Sequence, residues 1–305
     1  MPVFNGARTL GNSLDSIARC EDPDVEVILV DQGSSDDSVA IAQTFRDRLS
    51  LRIEQAPDNQ NWMQNANTAL QLAQAPYATM LHQDDVWLDQ RLALAKTQIA
   101  AQPEPRLWIS PAFFINARST RMGKFSPPFG GKQKTVPRDA ALKTLLVQNT
   151  VALPCAIFHT DTVRDMGGLD QELWYTADWD LWLKLCAIAG VGWNPTPSCG
   201  FRIHGESLTA RGSRDLSDFR RQLDHPLERH LSRLPENLRS ETERLARLSN
   251  EVNITLASSF HGARPKPWRI LNQFIRLGPK NWLQFLSSSQ ILQRSIPRLW
   301  ALRRK

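Results

Sequence analysis

From the start of the chain to about residue 116, short apolar runs alternate with stretches of helical period, and no other feature limits the fold as much. Leu10, Leu14, Ile17 and Ala18 recur at helical spacing over residues 9–19. Glu26–Val30 (EVILV) is a nearly continuous apolar run, as in a strand covered on both faces. Ser34 and Ser35 can cap a following helix whose apolar positions include Val39, Ala42 and Phe45. A short strand near Leu51–Ile53, a helix near 61–74 and a strand at Tyr77–Leu81 follow, then a helix near 89–101 and a strand around Leu107–Phe113. Parallel strands need a crossover, usually a helix, so this order predicts an α/β fold with a mostly parallel sheet flanked by helices.

After Asn116 the pattern loosens. Residues 118–137 are rich in Lys, Arg, Gly and Pro and read as a long loop. Helical segments near 138–147 and 178–189 flank a strand-like LPCAIFH stretch, and from about 213 the chain reads as helix broken at prolines. These features divide it into an α/β domain at 1–212 and a helical, basic extension at 213–305. After Glu251 there is no acid, while Arg264, Lys266, Arg269, Arg276, Lys280, Arg294, Arg298, Arg303, Arg304 and Lys305 are all basic. The whole chain is only +6, so a basic tail follows a mildly acidic body.

With 41% hydrophobic and 22% charged residues the composition is globular, which excludes a disordered chain. No uncharged apolar run approaches the roughly 20 residues of a spanning helix. The opening MPVFNG has no secretory pattern, and Cys20, Cys155, Cys186 and Cys199 lack C-x-x-C spacing, so reduced thiols in the cytoplasm are expected. Basic residues in the tail are interleaved with Leu, Ile and Trp rather than densely clustered, which argues against a nucleic-acid partner and for an anionic membrane surface on the inner face.

Three acidic positions sit where such folds do chemistry. In YATMLHQDDVWL, residues 77–88, an apolar strand runs directly into Asp84 and Asp85. Ligands of open α/β sheets bind at that edge, and two abutting carboxylates suggest Mg²⁺ or Mn²⁺ shared with phosphate oxygens. They can equally cap a turn and the next helix. In VILVDQGSSDDS, Asp31 follows a strand where an acid can bond a ribose or base, and Gly33 permits a sharp turn; plain turn chemistry is the competing reading. In TADWDLWLKL, residues 176–185, Asp178 opens a helix as a reactive acid or a cap, and Asp180 serves a structural role.

Together, MPVFNGARTL, VILVDQGSSDDS, LHQDDVW and GGLDQELWYTADWDLWLKL resemble glycosyltransferase family 2, with order and spacing kept from residue 1 to about 210. The resemblance implies a GT-A fold and an inverting transferase that uses a UDP-, dTDP- or GDP-sugar donor and a saccharide or lipid-linked acceptor, in polysaccharide or glycolipid synthesis. It implies Asp31 at the donor's nucleoside, Pro2, Val3 and Asn5 over the base, and Asp84 and Asp85 at the metal, with Asp85 the more direct ligand. Asp178 matches the catalytic base, and Arg202 and His204 resemble a basic element near the diphosphate.

The chain departs from the family in two places. His82 stands where commoner forms carry another acid, and the full apolar strand before the PVFN segment is missing, so an upstream start is expected. Two rival readings are a catalytically silent nucleotide-sugar-binding protein and a nucleotidyltransferase; the latter would show a Gly-rich basic start that MPVFNGAR lacks.

Overall fold

The computed structural model describes residues 1–56, 61–203, 212–261 and 267–294. His204 and the basic residues Arg264, Lys266, Arg298, Arg303, Arg304 and Lys305 lie outside the described residues.

The first part of the chain is β1 (Pro2–Val3), α1 (Ala7–Ala18), β2 (Glu26–Asp31), α2 (Ser38–Gln43), β3 (Ser50–Gln55), α3 (Trp62–Leu72), β4 (Tyr77–Ala78), β5 (Val86–Trp87) and α4 (Arg91–Ala101). Next come β6 (Leu107–Ile109), β7 (Ala112–Ile115), β8 (Arg121–Phe125), β9 (Lys134–Val136), α5 (Arg138–Val147), β10 (Ile157–His159) and α6 (Thr160–Asp165). The rest is α7 (Ala177–Ala189), β11 (Val191–Trp193), β12 (Cys199–Arg202), α8 (Leu216–His230), α9 (Glu236–Phe260), α10 (Pro267–Leu277) and α11 (Pro279–Ser289).

Strands β1, β2 and β3 form a wholly parallel sheet in that order. The other two sheets are mixed. One runs β4-β10-β6-β11-β9, with β6 and β11 parallel and the remaining neighbours antiparallel. The other runs β5-β12-β7-β8, with β12 and β7 parallel. The α/β layering expected from the alternation is present, and the antiparallel pairings enter after β3.

Residues 118–137 correct the loop expectation. They contain β8, antiparallel to β7, and β9, antiparallel to β11. Both strands lie at sheet edges, where exposed charges such as Arg121 and Lys124 are tolerated and hide the apolar alternation.

α7 is buried nearly all round. Trp179, Leu181, Trp182, Leu183, Leu185 and Cys186 share one core with Leu142, Leu145 and Leu146 of α5 and with Leu107 and Phe158 of the sheet. Phe219, Leu223 and Leu227 of α8 and Ala246 and Ile254 of α9 belong to the same core. α1 packs Leu10, Leu14 and Ile17 on Val27 and Leu29 in a second cluster. A third joins Val147, Leu245, Leu248 and Val252 to Leu277 and Phe285 of the C-terminal hairpin.

Between β2 and β4 lies a cavity of about 350 Å³, walled by Val27, Ile28, Ala66, Leu70, Met80 and Ile157 among others. Met1 stands at its rim, with its ammonium donating to the Ile28 carbonyl at 2.8 Å.

Candidate functional site

Three loops meet at the C-terminal edge of the parallel sheet. Val3 is aligned with Asp31 across the β1–β2 pairing, so the chain leaves both strands at the same level. Asn5 then adopts φ 48°, a left-handed conformation that Asn tolerates better than most residues. Its amide donates to Ser34 Oγ at 2.9 Å, and its Oδ1 accepts from the Ser35 amide at 2.9 Å. Gln83 clamps Phe4 from the other side, accepting from the Phe4 amide at 2.8 Å and donating to its carbonyl at 3.0 Å. A Cβ on Gly6 would come within 2.7 Å of the Gln83 side chain, so the clamp needs glycine there.

Pro2 and Val3 are buried beneath this edge, and Phe4 is half exposed above it. Asp31 is 2% exposed and accepts from the Ser34 amide through Oδ2 at 3.0 Å. Its Oδ1 is buried without a protein hydrogen-bond partner. Such an oxygen is costly to leave unsatisfied and is suited to a ligand's hydroxyl or N–H.

The structure separates the two adjacent acids. Asp85 is 1% exposed, and its Oδ1 accepts from the Arg202 amide at 2.8 Å. Burial first, then the neighbouring Asp84 charge, pushes the Asp85 carboxyl well above the usual carboxylate range. Asp84 is only partly buried. Asp85 thus has one oxygen engaged by the backbone of β12, while Asp84 presents the more exposed carboxylate.

Arg202 is bonded through its side chain as well as its amide. Its guanidinium donates to the Asp84 carbonyl at 2.6 Å, to the Asn116 carbonyl and to Ser119 Oγ at 3.0 Å, and the residue is 4% exposed. It clamps the acidic turn to the loop after β7. His204 lies outside the described residues.

A cation here must share its shell with a ligand. Among the described residues no three His, Cys, Asp or Glu side chains gather at metal spacing. Mg²⁺ and Mn²⁺ suit such a site, because they bind through one or two carboxylates, phosphate oxygens and water rather than an all-protein cage. Asp84, in the turn between β4 (which ends at Ala78, short of the expected Leu81) and β5, fits that arrangement.

Asp178 sits in the first turn of α7 and is partly buried. Its Oδ1 accepts from the Trp179 amide at 2.7 Å, and its Oδ2 accepts from Asn149 Nδ2 at 3.2 Å. Burial pushes its carboxyl up to about 6, against the opposing pull of those hydrogen bonds. Asp180, two residues on, turns inward at 1% exposure and bonds His230 at 2.8 Å and Arg229 at 3.1 Å, with Lys184 paired at 2.8 Å. Trp182 is fully buried in the core and not available to stack on a ligand.

Helix α3 links the two halves of the site. Trp62 packs edge-on against His82 with ring centroids 5.2 Å apart, and its Nε1 donates to the Trp174 carbonyl at 3.2 Å. Asn67 brackets Leu169, accepting from its amide at 2.8 Å and donating to its carbonyl at 2.9 Å. A Cβ at Gly168 would lie 2.3 Å from Asn67 Oδ1, which explains a glycine in the turn ahead of α7. Trp62, Asn67, Gln83 and Asn149 went unnoticed in the sequence. Only the capping box of Asn61 and Gln64, which starts α3, left a readable signal.

Residues 1–104 match the model of Glycosyl transferase family 2. An uncharacterized glycosyltransferase of Rickettsia prowazekii is 21% identical over 222 residues, covering 72% of this chain and 67% of that one. The crystal structure of S. aureus TarS 1–349 in complex with UDP superposes with a TM-score of 0.65 at 16% identity, covering 99% of this chain and 87% of that one. The mannosyltransferase PcManGT from Pyrobaculum calidifontis, in complex with GDP-Man and Mn²⁺, gives 0.60 at 16% identity, covering 98% and 85%. The fold is that of the GT-A glycosyltransferases, with a helical C-terminal part.

Proposed function

We propose, for a chain whose residues 1–104 match the model of Glycosyl transferase family 2, membership of that family and inverting transfer of a sugar from a nucleoside-diphosphate sugar to an acceptor hydroxyl. The observation that carries this reading is the Asp178 carboxylate, raised to about 6 and held by Asn149 at the start of α7. Trp62 of α3 ties the segment ahead of that helix to the acidic turn through Trp174 and His82. A base with its pKa near the working pH combines a useful ionised fraction with real affinity for the proton.

On this reading the loops around Asn5, Ser34 and Gln83 hold the nucleoside, and the open Oδ1 of Asp31 accepts one of its hydrogen bonds. Asp84, backed by the Asp85–Arg202 clamp, would hold Mg²⁺ or Mn²⁺. When bound, the cation stabilises negative charge on the departing nucleoside diphosphate. Asp178 takes the proton of the acceptor hydroxyl as its oxygen attacks the anomeric carbon from the face opposite the leaving group. The C1–phosphate bond breaks, a new glycosidic bond forms with inverted configuration, and the proton ends on Asp178.

Residues 1–212 carry the chemistry in this account; the described residues after 212 are largely helical, and α8 and α9 buttress α5 and α7. The acceptor is a saccharide or lipid-linked glycan of cell-surface polysaccharide or glycolipid synthesis at the cytoplasmic face. No helix among the described residues is long and apolar enough to cross a membrane. The test is a thermal-shift panel of UDP-, dTDP- and GDP-sugars with and without Mn²⁺, followed by donor turnover. Stabilisation by one donor class, enhanced by Mn²⁺, with turnover lost in Asp178→Asn, is expected. Failure of every donor to stabilise the protein overturns the reading.

A further inference from the structure

The hairpin of α10 and α11 is apolar on two opposite sides. Its inner side is accounted for: Ile270, Phe274, Leu277, Trp282 and Phe285 pack on Val147 of α5 and on Leu245, Leu248 and Val252 of α9. Phe274 and Trp282 stack with centroids 5.3 Å apart at 10°, and Trp282 Nε1 donates to the Phe274 carbonyl at 2.6 Å. Gly278, at φ 75°, makes the turn between the two helices. These contacts fix which side faces out.

The outer side is apolar as well. Trp268, Leu271 and Ile275, at i, i+3 and i+7, form one stripe at 62%, 58% and 58% exposure. Leu283 and Leu286 continue it on α11 at 77% and 42%. Large apolar side chains scattered singly are ordinary on a surface, but two adjoining helical stripes are not.

We propose that this outer face docks on an anionic lipid bilayer, lying in the interface without crossing it. Charge decides between a bilayer and the other candidates. From residue 252 to the end the sequence has ten basic residues and no acid; of those whose side chains are described, Arg276 is exposed on α10 and Arg294 is buried against Asn253. Association of two copies through this face would oppose two such stretches, and a neutral apolar partner would leave the charge bias unused. An anionic headgroup layer over an acyl boundary satisfies both the apolar stripes and the positive charge. The inner side of the hairpin rests on Val147, two residues before Asn149, which holds Asp178. Docking would therefore set α5, and the base it helps position, close to a bilayer-borne acceptor.

The test is co-sedimentation of the full chain with phosphatidylcholine vesicles, with and without phosphatidylglycerol. It needs no donor and no turnover, so its outcome is separate from that of the transferase reading. Binding is expected only when phosphatidylglycerol is present, falling several-fold as salt is raised. Trp268→Ser combined with Leu271→Ser and Ile275→Ser should weaken it by more than about tenfold. Arg276→Glu, a single exposed change, should weaken it several-fold and covers the case in which the triple variant fails to fold. Three results overturn the proposal: equal binding of Arg276→Glu and the parent chain, equal binding to both vesicle types, or a dimer in sedimentation velocity that the triple variant dissolves.

Discussion

At Asp178 burial and local hydrogen bonding act against each other, and the balance makes a testable signature. Its carboxyl moves from 3.8 to about 6 on folding, so between those values the folded chain binds the proton and the unfolded chain does not. Stability from this group is therefore greatest at low pH and is lost as pH rises through that window. Asp178→Asn removes the buried charge, so it should stabilise the fold at neutral pH, by at most about 3 kcal/mol at ~1.4 kcal/mol per pH unit, read as a higher melting temperature. The same change should lower kcat by roughly 10²–10⁴-fold with donor affinity nearly intact. A variant that is both less stable and unable to bind donor would point to a structural acid instead. Asn149→Ala withdraws one donor from the carboxylate, so the acidic limb of the parent pH–rate profile should move upward; an unmoved limb removes Asn149 from the positioning role. The paired acids give a third comparison. Asp84→Asn should abolish the Mn²⁺-dependent part of donor binding while the fold survives. Asp85→Ala should instead cost about 1–3 kcal/mol, because the buried Arg202 amide loses its acceptor. Equal metal-dependent loss in both variants, with stability unchanged, would return Asp85 to the metal.

At the scale of elements, α7 is held by one carboxylate as much as by its apolar faces. Asp180 joins it to α8 through His230 and Arg229, and Arg229 also reaches Asp170 at 2.9 Å. Its carboxyl is held far below the usual range despite burial, through hydrogen bonds and charge from His230 and Lys184. That contribution is present above the unfolded carboxylate range and lost as pH falls below it. Asp180→Ala leaves those partners uncompensated in a closed space and should cost roughly 3–5 kcal/mol in urea unfolding. A loss under 1 kcal/mol would mean the cluster is solvated. The inward turn of Asp180 was legible, since residues two apart on a helix cannot share a face. The places of Asp31 at the end of β2 and Asp178 at the start of α7 were legible for a related reason: strand ends and helix starts leave local marks. Asn149 and Trp62 were not. Asn149 meets Asp178 across 29 residues and Trp62 meets Trp174 across 112, and no period or cap records such a contact. β8 and β9 were hidden by their edge positions, where exposed Lys and Arg interrupt the alternation that betrays inner strands.

Over the whole molecule, the weak place is the seam between the parallel sheet and its mixed neighbour. β1 is two residues long, and the cavity of about 350 Å³ separates β2 from β4 beside it. The Met1 ammonium lies against that cavity, and burial lowers it from 8.0 to about 5. Between those values the unfolded chain holds a proton that the folded chain gives up, so stability from this group is lost as pH falls from 8 toward 5. Packing near native density leaves no contacts across such a gap, and its apolar walls forgo the attraction they would gain from a filled one. A chain extended ahead of Met1 by a short apolar segment converts the ammonium into a peptide amide, which can keep the bond to Ile28 without charge. Side chains that enter the cavity add about 1.5–3 kcal/mol each when fully buried. The expected outcome is a higher melting temperature for the extended chain, with a difference from the parent that widens as pH is lowered from 8 toward 5. A polar extension of equal length is the control: it neutralises the ammonium but fills nothing, so it should recover the pH-dependent part alone. If the two extensions raise the melting temperature equally, the cavity contributes nothing and only the buried charge weakens the seam.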